Sequence, residues 1–336
     1  MKLNFFKNYS KKTILKYIFI VIFWFLIFLF ILKLINFKIN KQLFFNISPL
    51  PLIISFCFYL LFAFIRGMRI AYLLDSKNYF KSLAISGIYV LSCAIFPGGI
   101  GEATLPIYVK KYMDIPLSKG TALLLTTRIF DLLFIIFFFI YSLFAIHLSY
   151  NNFKIVLSGI FFIIPVFFLI FFIIFSNNVR FFFINKIKKN FVRKRNFLTP
   201  FVNKFILYIE NIDKELKEIS LKKKDLLIFL TLMSRLSVYI FFFFLFKSFH
   251  LNITIIQVIF VSTFVTLMLI IPFQGLGGFG SYEIWVTMAL VIVGVNKHNA
   301  LSVSIPIQLL VFIFGLLEGI TGYFLLINAN KMTKNK

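Results

Sequence analysis

Acidic residues are scarce in this sequence: Asp and Glu number 11 against 36 Lys and Arg. Charged residues of both signs reach only 14%, while 61% are hydrophobic, which excludes an ordinary water-soluble domain. Cysteine occurs twice, at Cys57 and Cys93, each inside an apolar run, so no disulfide framework is expected. The three histidines, His147, His250 and His298, lie far apart without ligand spacing, and no Asp-x-Asp pair occurs. No metal site and no cofactor are therefore expected. Glycine is sparse too, with 15 residues, and seven of them fall in two clusters.

What the sequence has in abundance is apolar runs longer than the roughly 20 residues that cross a bilayer. The fold class expected is an all-α polytopic membrane protein. The excess of +25 would suggest nucleic acid in a soluble chain. Here the basic residues sit in the connections between apolar runs, so a cytoplasmic bias and anionic lipid explain them, and no nucleic acid is expected.

Met1 to Lys16 is a basic tail ahead of the run Ile14 to Phe37. That run is long and bulky with no small-residue cleavage site, and reads as a retained helix starting in the cytoplasm. Further spans are read at Ser48 to Leu74, Pro116 to His147, Phe153 to Phe175, Leu226 to Phe249 and Asn299 to Ile327. The connection Ser176 to Asp225 is rich in Lys and Arg, and anionic lipid headgroups are its expected partner. Inside it, Phe201, Phe205, Tyr208 and Ile212 fall at helical spacing against charges, as in a helix on the inner membrane surface; a solvated linker helix fits equally.

The two glycine clusters interrupt apolar sequence. The first reads Pro97-Gly98-Gly99-Ile100-Gly101-Glu102 and the second Gly275-Leu276-Gly277-Gly278-Phe279-Gly280-Ser281-Tyr282-Glu283. A helix broken inside a membrane leaves backbone groups that need protein or a polar cavity. Paired breaks in corresponding places of two halves are a pointer to a transport site. Charge parity puts both ends of Ser82 to Met113 on the cytoplasmic side and both ends of Ile253 to Val295 outside. The result is six full spans plus two opposed re-entrant hairpins as an inverted repeat, the alternative being eight simple spans. Residues 1–175 form the first membrane repeat, 176–225 the cytoplasmic linker and 226–336 the second repeat, with both termini cytoplasmic in a cell (plasma) membrane.

The candidate substrate-binding residues follow from this plan. Gly98, Gly99, Gly101, Gly277, Gly278 and Gly280 let a backbone approach and cradle an anion. Arg128 and Arg235 place cations inside spans, where a charge needs a partner or a pathway. Arg128 and Asp131, three apart on one helix, are positioned to satisfy each other. Arg235 has no acidic neighbour on its helix and needs Glu102, Glu283 or a ligand phosphate. Glu102 and Glu283 either cap the half-helix that follows each break or contact the ligand. Arg66 and Arg69 are read as snorkelling to the inner interface, and Glu318 stays unassigned. No catalytic residue is indicated.

The Gly-Gly-x-Gly breaks with nearby glutamates, the stretch Thr127-Arg128-Ile129-Phe130-Asp131-Leu132-Leu133 and the Gly-Leu-Gly-Gly-Phe-Gly pattern before Glu283 resemble the lysylphosphatidylglycerol synthase transmembrane family. This is the flippase region of the multiple peptide resistance factors, which also occurs as a stand-alone membrane protein. The resemblance implies a helical bundle that moves an anionic or aminoacylated phospholipid between leaflets; some members are associated with polyprenyl-linked sugar pathways. It implies membrane lipid as the partner, with a homo-oligomer or a separate lipid-modifying enzyme as further partners. The chain ends at Lys336 without a soluble aminoacyltransferase domain, so synthesis of lysylphosphatidylglycerol by this chain is not expected. The alternatives are a membrane-embedded transferase or pathway subunit acting on a polyprenyl phosphate or glycolipid, and a small-solute or ion porter.

Overall fold

The computed structural model describes residues 47–96, 99–146, 207–216, 224–269 and 278–334. Among these residues all regular structure is helical. In chain order the helices are α1 Pro49–Leu73, α2 Tyr79–Ile95, α3 Thr104–Met113, α4 Leu117–Ala145, α5 Lys224–Ser248, α6 Ile255–Met268, α7 Ser281–Ile292 and α8 Lys297–Lys334. The protein is an all-α polytopic membrane protein. The spans expected at Ile14 to Phe37 and Phe153 to Phe175, the loop at Tyr150 and most of the basic linker lie outside the described residues.

Helices α1, α4, α5 and α8 each carry an apolar stretch of 24 to 30 residues. At ~1.5 Å per residue these exceed the ~30 Å hydrocarbon core. Their outer faces are apolar: Phe137 and Phe144 on α4 are 63% and 74% exposed, a surface suited to acyl chains. The other four are shorter, at 17, 10, 14 and 12 residues for α2, α3, α6 and α7. None of these reaches across ~30 Å on its own.

The short helices come as two hairpins. In the first, α2 starts at a real cap, the Asn78 side chain accepting from Lys81 N at 3.1 Å. Its return arm is held by Ser92 Oγ and the Tyr108 hydroxyl, 2.7 Å apart. Gly99 turns the chain with φ +78°, a left-handed value that favours glycine, and a 3-10 turn over Ile100–Ala103 leads into α3. Gly101 is packed so closely that a β-carbon there would lie 2.5 Å from Cys93 Cα. In the second hairpin, Thr254 and Gln257 cap the start of α6 reciprocally. Gln257 Nε2 then donates to the Val293 carbonyl at the far end of α7, 3.0 Å away, which ties the hairpin's open end.

Packing between the first four helices and the last four is reciprocal. Helix α1 lies against α5, α2 against α8, and α6 against α4. Exchanging the two sets of four helices reproduces each of these partnerships. The α1–α5 pair is antiparallel, because Ser48 N donates to Ser248 O at 2.9 Å and Ser55 Oγ to Phe241 O at 3.1 Å. The α2–α8 crossing is built on glycine: β-carbons on Gly87 and Gly322 would stand 2.6 Å from Glu318 O and 2.7 Å from Ala84 O. Small residues let membrane helices approach in this way. The stretch 207–216 is helical, as the spacing in the linker suggests. It packs on the start of α4, with the Tyr208 hydroxyl 2.7 Å from Thr121 Oγ1 and Leu216 buried in the cluster that holds Leu123 and Leu227.

Candidate functional site

Four arginines of three helices surround one cavity of about 100 Å³: Arg66 and Arg69 from α1, Arg128 from α4 and Arg235 from α5. Asp131 and Tyr89 line it as well. Water takes about 30 Å³ per molecule in the liquid, so the space admits several waters or one compact polar group.

Each guanidinium finds a carboxylate on another element of the chain. Arg69 Nη1 donates to Asp131 Oδ1 at 2.8 Å, and Arg235 Nη2 reaches the same oxygen at 3.0 Å. Arg66 pairs with Glu318 of α8, donates to Ser86 Oγ at 2.8 Å and lies 4.8 Å over the Phe62 ring. Glu318 also accepts from the Tyr59 hydroxyl at 2.8 Å. Arg128 holds Glu102 by a two-point fork, Nη2 to Oε1 at 2.7 Å and Nε to Oε2 at 3.1 Å, and donates to the Tyr89 hydroxyl at 2.6 Å.

Several sequence expectations are corrected by this geometry. Arg128 and Asp131 do not pair with each other; three residues apart, they turn to opposite neighbours, Glu102 and the Arg69–Arg235 couple. Arg235's partner is neither Glu102 nor Glu283 but Asp131. Arg69 does not snorkel: the residue is 3% exposed and its guanidinium turns inward to α4. Arg66, Arg69, Tyr59, Tyr89 and Glu318 are site or supporting residues that the sequence reading left out or gave a lesser role. The available signal was the same for all five, a polar group inside an apolar run.

The first break touches the cavity's lining through the Glu102–Arg128 pair, while Gly99 is open, with nothing within 4 Å of a built β-carbon. Gly101 is a packing glycine against α2. None of the described residues of the second break lines this cavity. Gly278 and Gly280 turn the chain with φ +75° and +87°, and Glu283 accepts from Gly280 N at 2.6 Å. Glu283 thus has the capping role at the start of α7. Gly98 and Gly277 lie outside the described residues.

Chemically the arrangement suits an anion. Four guanidiniums face three carboxylates, Glu102, Asp131 and Glu318, leaving one positive charge in excess. Two arginines share a single carboxylate oxygen, and Nε of Arg69 and Nε of Arg235 are buried without a hydrogen-bond partner. Buried donors left unpaired cost about 1–3 kcal/mol each. The Tyr239 hydroxyl, one turn beyond Arg235, is likewise buried and unpartnered. No group of three or more His, Cys, Asp or Glu positioned for a metal ion occurs among the described residues.

A family model described as Lysylphosphatidylglycerol synthase TM region matches residues 14–319. No curated protein and no solved structure matches the chain.

Proposed function

From the premise that this chain belongs to the lysylphosphatidylglycerol synthase transmembrane family, we propose that it translocates a phospholipid or lipid-linked anion between leaflets. The observation that carries the reading is the arginine-lined cavity among membrane-crossing helices, with one positive charge more than its carboxylates neutralise. The ligand's phosphate seats among Arg235, Arg128 and Arg69, which line one cavity and of which Arg235 and Arg69 share a single carboxylate, and its acyl chains stay in lipid. Arginine suits this work because its planar fork matches the oxygens of a phosphate.

The bundle is read as an inverted repeat of α1–α4 and α5–α8, with α2–α3 and α6–α7 as re-entrant hairpins entering from opposite sides. Three features support this reading: the short hairpin helices, the reciprocal packing, and the antiparallel α1–α5 contact. The ion pairs follow the same exchange, since Arg66 of α1 pairs with Glu318 of α8 as Arg235 of α5 pairs with Asp131 of α4. Such a repeat gives two related ways of opening around a fixed site.

The function is tested with the purified chain in vesicles, by leaflet-resolved quenching of a fluorescent phosphatidylglycerol. Arg235→Lys should reconstitute but translocate slowly, because one ammonium replaces the fork. Arg235→Gln should stop translocation while the protein still folds. Wild-type rates in Arg235→Gln would rule out the phosphate seat. Orientation is tested separately, by single-cysteine labelling in a background lacking Cys57 and Cys93. Cysteines at 110 and 194 should react only from the cytoplasmic side, and those at 150 and 297 only from outside; external reaction at 110 would remove the first re-entrant hairpin.

A further inference from the structure

We propose that Glu102 is an internal competitor for the ligand: its carboxylate occupies Arg128 as a stand-in for a phosphodiester, and the ligand's phosphate enters by displacing it. The inference rests on the translocase reading and narrows its substrate to lipids with a singly charged phosphodiester.

The first observation is accessibility. The side chains of Arg66, Arg69 and Arg235 are 18%, 4% and 12% exposed, and those of Glu318 and Asp131 are 10% and 12%. Arg128 and Glu102 are both 41% exposed. Of the four guanidiniums lining the cavity, Arg128 is the one that an incoming headgroup reaches first.

The second is geometry. Glu102 meets Arg128 with two oxygens on two nitrogens, at 2.7 Å and 3.1 Å. The two non-bridging oxygens of a phosphodiester match the same fork. A phosphodiester carries one negative charge, as the carboxylate does, so the exchange leaves Arg128 with the same compensation. A phosphomonoester brings a larger charge and has no such one-for-one match. The Tyr89 hydroxyl beside Nη2 keeps the guanidinium in place through the exchange.

The third is how lightly Glu102 is held. Both side-chain contacts go to Arg128, and the residue sits in a single 3-10 turn, Ile100–Ala103, behind Gly99. That turn is fixed by Gly101 against Cys93 and by the Thr104 hydroxyl on the Gly101 carbonyl at 2.6 Å. The backbone therefore stays while the side chain swings away by its own rotamers. Half-exposed ion pairs are weak, which is what a displaceable contact requires. The pairs at Asp131 and Glu318 are far less exposed than Arg128 and Glu102 and serve as the fixed frame.

The experiment measures binding of a short-chain fluorescent phosphatidylglycerol to the full chain in detergent, with phosphatidic acid as the phosphomonoester arm. Glu102→Gln and Glu102→Ala should each tighten phosphatidylglycerol binding by roughly fivefold, the upper range for losing an exposed pair. Glu102→Asp should bind no more tightly than wild type. The gain should disappear when Arg128→Gln is added, and phosphatidic acid should gain less than phosphatidylglycerol. Unchanged or weaker binding in both Glu102 variants overturns the proposal, as does a gain that survives Arg128→Gln. An equal gain for phosphatidic acid overturns the phosphodiester class. Loss of folded protein in both variants overturns it too, because a contact needed for folding is not one a ligand displaces. Failure here with Arg235→Gln still blocking translocation leaves the translocase reading standing; wild-type behaviour in Arg235→Gln removes that reading instead.

Discussion

Replacing Asp131 by asparagine should be among the most destabilising single changes in the bundle, costing about 3–5 kcal/mol. Its Oδ1 is the carboxylate oxygen on which both Arg69 and Arg235 rest, and an amide there leaves two buried guanidiniums without a counter-charge. The arginines behave differently. Arg235→Gln leaves Asp131 paired with Arg69, and Arg69→Gln leaves it paired with Arg235. Each should therefore cost much less than Asp131→Asn. Adding Arg235→Gln to Asp131→Asn should recover part of the loss, since one uncompensated charge goes with it. Thermal unfolding of the purified variants in one detergent gives the comparison. Equal destabilisation by all three single substitutions would show that the shared carboxylate is not what holds these charges.

The second large effect lies at the α2–α8 crossing. Gly87→Val or Gly322→Val should prevent close approach of the two helices, because the β-carbon meets backbone at 2.6 Å or 2.7 Å and backbone cannot turn aside. Overpacking of this sort costs about 1–3 kcal/mol, occasionally more, and here a further contact is lost. Glu318 projects from the same crossing, so separating the helices pulls it from Arg66. Gly315 supplies the control on the same helix. Its β-carbon would meet Val90 Cγ1 at 3.5 Å, ordinary contact distance, so Gly315→Ala should be neutral or stabilising, as alanine favours a helix more than glycine. Normal folding of Gly87→Val and Gly322→Val, read from size-exclusion profile and melting temperature, would refute the close-packing account.

Element positions were legible in the sequence because a membrane span needs only length and apolarity. Ser48 to Leu74 became Pro49–Leu73, and Leu226 to Phe249 became Lys224–Ser248. The turn glycines were legible as well, since Gly99 and Gly278 sit at positive φ where few other residues settle. Partner choice was not. Arg128 and Asp131 share a helix face, yet each is drawn to another helix, and the rotation of one helix against its neighbour is set by packing that no single segment encodes. Arg69 near the end of its apolar run read as a snorkelling residue for the same reason. Only the approach of α4 and α5 turns that end of α1 into an interior. Glu102 was ambiguous between cap and ligand contact, and its bond to Arg128 became visible only when the first break was folded against α4.

The long reach of the ion pairs also bears on how the protein is made. Arg66 and Glu318 are 252 residues apart, and Arg69 and Asp131 are 62 apart. During synthesis α1 enters the bilayer before α4, α5 and α8 exist. In the last two turns of an inserting helix each uncompensated arginine is unfavourable, by at most the roughly 2.5–3.5 kcal/mol of a helix-centre position. The nascent helix must hold both charges near a headgroup region or in the insertion machinery until the later helices arrive. Arg69 is released first, when α4 brings Asp131; Arg66 waits for α8 and Glu318. Ribosome-stalled intermediates should thus show α1 becoming carbonate-resistant in two steps, the first after α4 emerges and the second only after residue 318 has cleared the exit tunnel.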